Sequence, residues 1–539
     1  ATYEDQRRWR RDVRLREKNQ ELFALLVGGE TRIGEWDLDG QLAWSRGMEE
    51  NPDESSVRFR HNTRDGSFRY TMNGPYSFNL EQLAGGDIND PTTYNFQRID
   101  YSNDSGTEEE FDAGFNAKID LDAANPTSLK FGMMYREKTK DKEVEVYELD
   151  TAPASFTFAS LATDNGSYPF TQVPRADGDR AREAFLGNFG AFSGERIFED
   201  SELEDWVSTE DVVSAYVMGT VRFGDTTLIA GARVERTKFA TAGNELDLVN
   251  ETVVGRNRVS HNYTNWLPGV YLRHDSGDSL VWRASWSNSL ARPSFGESAA
   301  FIGINHDDAE VVQGNPNLEE LTSRNWDASM EYYLPSLGMI SAGVFLKQID
   351  NFSYEIDIPG GYAPLPTYDL TTFRNGSDGT IKGLELAYQQ QLQMLPAPFD
   401  GLGLLANLTL SDSEATYPTR PGEKLPFIGQ SERIGNLGLS YEKGGFFARL
   451  AMNFRSERLR EDEAIGGDIY NDRWVDDFQQ LDFTMRYRFT KHIEAYVDVV
   501  NITDEPFRVY FKSPGNQDRR LVQFEEYGWG AHFGLRWKL

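Results

Sequence analysis

From Trp529 to Leu539 every second residue is apolar: Trp529, Ala531, Phe533, Leu535, Trp537 and Leu539. Gly530, His532, Gly534, Arg536 and Lys538 stand between them. A period of two predicts a strand with one apolar face and one small or polar face. Trp529 and Trp537, eight positions apart, lie on the apolar face. At ~3.4 Å per residue they are ~27 Å apart along the strand, or ~19 Å in depth at a ~45° tilt. Aromatic girdles flank an apolar band ~25 Å tall in outer-membrane barrels.

The same alternation recurs upstream, in pairs. Leu481, Phe483, Met485, Tyr487 and Phe489 alternate with Asp482, Thr484, Arg486 and Arg488, and the pattern resumes at Ile493, Ala495, Val497 and Val499. Further pairs are expected near 17–28 with 34–46, 109–121 with 127–137, 209–223 with 226–236 and 263–273 with 279–290. Others are expected near 323–334 with 338–350, 378–391 with 402–411, and 437–441 with 446–454. With the last strand the count is about 17.

Connections alternate between short ones, such as Gly224-Asp225 and Pro335-Ser336, and long ones near 138–208, 237–262, 291–322, 351–377, 411–432, 456–477 and 502–523. Short turns on one side and long loops on the other are the build of a bacterial outer-membrane barrel. A propeller or solenoid would repeat at a fixed spacing. Bacterial barrels have an even strand number. So either strands are hidden in 49–107 or the chain begins inside the barrel.

Composition removes the main rivals. No apolar run approaches the ~18 residues of a transmembrane helix. A hydrophobic fraction of 39% with 13% aromatics suits a barrel whose inner face is wet. The net charge of −31 argues against nucleic acid. There is no cysteine, so there is no disulfide or thiolate metal site.

Several segments together resemble the C-terminal barrel of TonB-dependent outer-membrane receptors, in the branch described from Caulobacter- and Xanthomonas-type bacteria. They are Asn265-Trp266-Leu267-Pro268-Gly269, Ala291-Arg292-Pro293-Ser294-Phe295 and Gly314-Asn315-Pro316-Asn317-Leu318. Ile381-Lys382-Gly383-Leu384-Glu385-Leu386, Val500-Asn501-Ile502-Thr503-Asp504 and the final strand follow in order. The resemblance covers essentially the whole chain. It departs at Glu320-Leu321, where the family often has Pro-Glu, and at the terminal Leu539, where the family usually has Phe.

The resemblance implies an all-β, antiparallel transmembrane barrel of 22 strands in the bacterial outer membrane. It also implies a plug domain and a TonB box. Neither is recognisable in residues 1–50, so 1–539 is expected to be barrel alone, without its first strands. Implied partners are TonB, outer-membrane lipid and lipopolysaccharide, and a small-molecule substrate. The family also admits a surface-exposed lipoprotein. The implied activity is energised import, leaning to an oligosaccharide. A ferric siderophore is the alternative within the family, and a passive substrate-specific porin the alternative outside it.

No catalytic set emerges, and neither an enzyme nor a cofactor is expected. The six histidines form no metal-spaced pair and no H-E-x-x-H or G-x-S-x-G is present. His306-Asp307-Asp308 reads as an acidic loop more readily than as a metal site. Segment 456–477 carries eight acidic and three basic residues together with Tyr470, Arg473 and Trp474. Rings and a guanidinium there suit a ligand platform. The plainer reading is a solvated acidic loop that binds cations bridging lipopolysaccharide. Arg292 follows a strand whose outward set is Leu280, Trp282, Ala284 and Trp286. Strict alternation places it outward; a turn at Pro293 would bring it inward, toward substrate. By phase, Arg283, Arg449, Arg486 and Arg536 face the lumen, where water or plug contacts are the plainer role.

Overall fold

A computed structural model describes residues 2–3, 9–63, 67–72, 78–167, 172–335, 337–417, 420, 422–460, 472–512 and 519–538. Among these, seventeen strands form one antiparallel wall in chain order. They are β1 Asn19–Ile33, β2 Trp36–His61, β3 Tyr94–Leu121, β4 Thr127–Thr151, β5 Trp206–Phe223 and β6 Thr226–Asp247. Next come β7 Thr252–Ser276, β8 Leu280–Ala291, β9 Leu321–Leu334, β10 Gly338–Asp350, β11 Ser377–Gln391 and β12 Leu402–Thr416. β13 Arg433–Lys443, β14 Phe446–Arg455, β15 Phe478–Arg488, β16 Ile493–Val500 and β17 Gly530–Trp537 complete the series. Each strand pairs with its neighbour in sequence, from β1–β2 to β16–β17. No helix among the described residues is long and apolar enough to cross a membrane.

Alternation decides the two faces. Phe533, Leu535 and Trp537 on β17 are exposed, as are Leu42 and Trp44 on β2, Trp266 on β7 and Trp282 on β8. These side chains face lipid. The intervening positions face the lumen and are mostly polar or small. Arg283 is paired there with Glu331, and Arg536 with Glu494. Tight turns close one end. Ile33 and Trp36 are ladder partners across Gly34-Glu35, and Phe223 and Thr226 across Gly224-Asp225. Gly34 and Gly224 take φ of +63° and +55°, the left-handed conformation that two-residue hairpins require. Tyr94 to Leu121 is the longest strand of the wall. Residues 49–107 hold no additional wall strand among the described residues.

The long connections are not loops throughout. The expected loop 237–262 is ladder from Thr237↔Tyr263 to Asp247↔Thr252. β2, β3 and β4 likewise run well past the lipid-facing residues and form a tower. Its core is aromatic: Phe59, Phe156, Phe158, Phe185 and Phe192 pack with Tyr94 and Tyr101. Two helices cover it, α1 Phe158–Leu161 and α2 Gly178–Leu186. Thr157 and Ser160 form a reciprocal capping box on α1, and the Asp177 side chain accepts from Arg180 N on α2. α2 turns Ala181 and Phe185 into the core, both fully buried. Phe185 meets Phe192 edge-on at 5.1 Å and Tyr101 at 5.6 Å. The last strand begins at Gly530 rather than Trp529, and Leu539 lies outside the described residues.

Candidate functional site

The segment after β8 folds into the lumen. The strand ends at Ala291, and Pro293 supplies no N–H to continue the ladder. Arg292 leaves the outward phase and turns inward, against the expectation from strict alternation. Its Nη2 lies 2.7 Å from Glu235 Oε2 and donates to Thr237 Oγ1 at 3.0 Å, and its Nε lies 3.4 Å from Glu210 Oε2. Glu235 also accepts from Arg233 at 2.6 Å, and Glu210 from Arg136 at 3.3 Å. Three guanidiniums and two carboxylates thus share one mostly buried stretch of inner wall. Such groups tolerate burial only when paired.

The chain continues along that wall. The ring of Phe295 stacks on Phe239 at 6.1 Å, and Lys138 Nζ lies 5.9 Å from it on the β4 side. Ser298, Ala299 and Ala300 are buried. The backbone of Ala300-Phe301 comes so close to β6 that a β-carbon on Gly243 would lie 2.7 Å from Phe301 N. Here glycine is required by a close approach of backbones.

Residues 302–304 then pair in parallel with Glu245–Asp247 of β6, and 302–305 pair antiparallel with 310–313. Residues 310–312 pair in parallel with 369–371, which belong to a hairpin of 353–358 with 369–375. That hairpin rises between β10 and β11. The in-folded segment is therefore a bridge that joins β6 to the β10–β11 connection. Glu297 Oε2 accepts from Ser353 Oγ at 2.9 Å, and Asn315 Nδ2 donates to Phe373 O at 2.8 Å. His306-Asp307-Asp308 sits on the turn of this bridge. His306 Nδ1 is 3.1 Å from Tyr368 OH, and Asn305 holds the backbone of both aspartates.

A second constellation stands above β14. Four short strands, Arg458–Leu459, Arg473–Val475, Phe507–Phe511 and Arg520–Glu525, form a sheet at the mouth. Arg473, Phe511 and Arg520 make one cross-strand row. Both guanidiniums lie over the Phe511 ring, at 5.6 and 5.0 Å. Register puts Arg458 and Arg460 on this same face. Trp474 is on the other face, beside Leu459 and Tyr510. It packs against the cluster of Phe352, Tyr354 and Tyr417, with Lys512 Nζ 4.2 Å from its ring. Burial pushes the Tyr417 phenol up to about 12.

Charges in this sheet neutralise one another. Asp476 accepts from Arg519 at 2.6 Å and faces Arg508 at 3.2 Å. Glu457 is bound by Lys512, Tyr510 and Arg519. Burial alone would push its carboxyl up, but these three partners together hold it below its ordinary value. Arg420, almost fully buried, clamps Asp472 at 2.6 and 2.7 Å and Glu423 at 2.6 Å.

The expected site residues thus fall in two constellations: Arg292 on the inner wall, Arg473 and Trp474 in the mouth sheet. Tyr470 lies outside the described residues. The partners that complete each group were not singled out in the sequence. Phe507-Arg508-Val509-Tyr510-Phe511, within a stretch taken as loop, is rich in aromatic and β-branched residues, a strand signal that would have found Tyr510 and Phe511. Glu210 and Glu235 carry no such signal, since lumen carboxylates are common along every strand.

A family model described as TonB dependent receptor-like, beta-barrel, matches residues 43–502. The chain belongs to the TonB-dependent receptor β-barrel family. The fold of this outer-membrane family recurs in solved structures of low identity. The ferric-catecholate import receptor Fiu from E. coli K12 superposes with a TM-score of 0.53 at 11% identity, over 93% of this chain and 64% of its own. The pyoverdine receptor FpvA from Pseudomonas aeruginosa gives 0.55 at 13%, over 100% and 72%. The copper transporter OprC gives 0.53 at 12%, over 97% and 72%. The chain thus spans less than two thirds of the length of Fiu. No curated protein sequence matches it.

Proposed function

We propose that this receptor barrel serves TonB-energised import and that its cargo is a neutral oligosaccharide. TonB would act through a segment outside the described residues. One observation carries the cargo reading. In and beside the mouth sheet Asp476, Glu457 and Arg420 are engaged by oppositely charged partners, on a chain of net charge −31. Such a surface presents fixed hydrogen-bonding groups and rings, with little net positive field to attract an anionic chelate. Polyhydroxylated rings suit it: hydroxyls meet carboxylates and guanidiniums, and C–H faces meet aromatic carbons.

A ferric siderophore, as the names of Fiu and FpvA suggest for those proteins, is the second reading. The shared face of Arg458, Arg460, Arg473 and Arg520 favours it. Uptake of labelled neutral oligosaccharides and of ferric siderophores, in strains with and without the gene and with and without TonB, tests both. Oligosaccharide uptake that needs gene and TonB supports the proposal. Siderophore uptake alone would replace it, and uptake that persists without TonB would indicate a passive pore.

A further inference from the structure

The inner wall of β1–β4 carries a dent of about 440 Å³ just above the lipid-facing Trp44 and Phe111. Two cross-strand rows build it. One runs Gln20–Glu49–Gly106–Lys142 and the other Leu22–Gly47–Glu108–Lys140. Alternation places every one of these on the lumen face. Each glycine therefore sits beside a glutamate of the next strand, and the two glycines form the floor.

The wall itself does not need them. A β-carbon on Gly106 would meet nothing nearer than 3.9 Å, and one on Gly47 nothing nearer than 4.0 Å. Neither has the left-handed φ that favours glycine. Glycine in a strand interior weakens it and marks a close approach of a ligand or another backbone. Two on adjacent strands, with open space above both, keep a concavity that larger residues would fill. The contrast with Gly243, which the seating of the Ala300-Phe301 backbone does need, is direct.

The rim has a definite chemistry. Glu49 accepts from Gln20 at 2.6 Å and pairs with Lys18 at 2.7 Å. Lys138, beside Phe295 of the bridge, pairs with Glu108 at 2.7 Å. Across the two rows Glu49 and Glu108 stand against Lys140 and Lys142, and Asp104 beside them adds a carboxylate, so the rim has no positive excess to draw an anion. Leu22 adds an exposed apolar contact. The volume falls within the ~300–1,000 Å³ of small-molecule sites.

We propose that this dent is a subsite for a neutral polyhydroxylated ring on its way down the lumen. Vicinal hydroxyls would meet Glu49, Glu108 and Lys140, and a C–H face the glycine floor and Leu22. The inference rests on the carbohydrate reading above and adds to it a place on the wall of β1–β4.

The test uses the purified full-length protein and titrates maltooligosaccharides, xylo-oligosaccharides and arabino-oligosaccharides. Gly47→Gln and Gly106→Gln fill the dent, and Asn250→Gln at the exposed β6–β7 tip is the control. Lys140→Met removes a rim group without touching a glycine, should a filled variant fail to fold. The expected result is a wild type that binds one of the sugars, a loss of at least about tenfold in the filled and Lys140→Met variants, and no change in the control. Equal binding by wild type and folded dent variants overturns the subsite and leaves the carbohydrate reading intact. A wild type that binds none of the panel overturns both.

Discussion

Arg292 Nη2 lies 2.7 Å from Glu235 Oε2, and both side chains are largely withdrawn from solvent on the inner wall. This contact ties the first residue after β8 to the middle of β6, two strands away. Arg292→Ala would leave Glu210 and Glu235 without it while they remain buried. Breaking such a pair costs about 3–5 kcal/mol. The expected outcome is a lower unfolding midpoint together with protease cleavage within 292–320. Arg292→Lys, which keeps the charge but loses the fork, should recover only part of the loss.

Gly243 permits the backbone of Phe301 to seat against β6. Gly243→Val should lift the in-folded segment while leaving the wall assembled, at about 1–3 kcal/mol. Cysteine introduced at Phe301 in this cysteine-free chain should react faster with an impermeant thiol reagent in the Gly243→Val background. Equal rates would mean the segment is not held by that contact.

Phe185 is fully buried in the tower and touches three aromatic rings. Phe185→Ala should cost about 3–5 kcal/mol, but locally. Hydrogen exchange is expected to rise across 152–197 and to stay unchanged in β11–β16, since separate cores open separately.

Asp205, at the entry to β5, has its pKa raised to about 6. Burial is the main cause, and nearby Glu202, Glu143 and Glu145 add to it against the hydrogen bond from Val144 N. Its unfolded value is 3.8, so between those values the folded chain holds more proton than the unfolded chain. Stability from this group is therefore greatest at acid pH and falls as pH rises toward 6. Asp205→Asn, which is always neutral, should flatten that part of the profile. Unfolding midpoints between pH 4 and 7 would reveal it. A wild type that gains stability across that window relative to the variant would contradict the assignment.

The wall was legible because one face of each strand meets lipid, which enforces a period of two. All seventeen strands have counterparts among the expected segments. Where that constraint ends, the signal ends. Ser102 to Glu110 belong to β3, yet lie above the membrane with water on both sides. Their run of Ser, Asn, Asp, Gly, Thr and Glu shows no alternation. The sequence leaves Arg292 open between the two faces for a related reason: alternation governs a residue only while it is in a ladder, and the ladder stops at Ala291. The pairing of Arg292 with β6, and of Gly47 with Glu108, depends on register between strands far apart in sequence. A single sequence does not display that.

The bridge from β6 to the β10–β11 connection has a mechanical consequence. The arc of wall through β7, β8 and β9 is joined at its rim a second time, by a hydrogen-bonded tie-beam inside it. A ring held by such a chord resists being squeezed oval along that direction, so distortion of the mouth would concentrate in the untied arc. The mouth therefore has one stiff side and one compliant side.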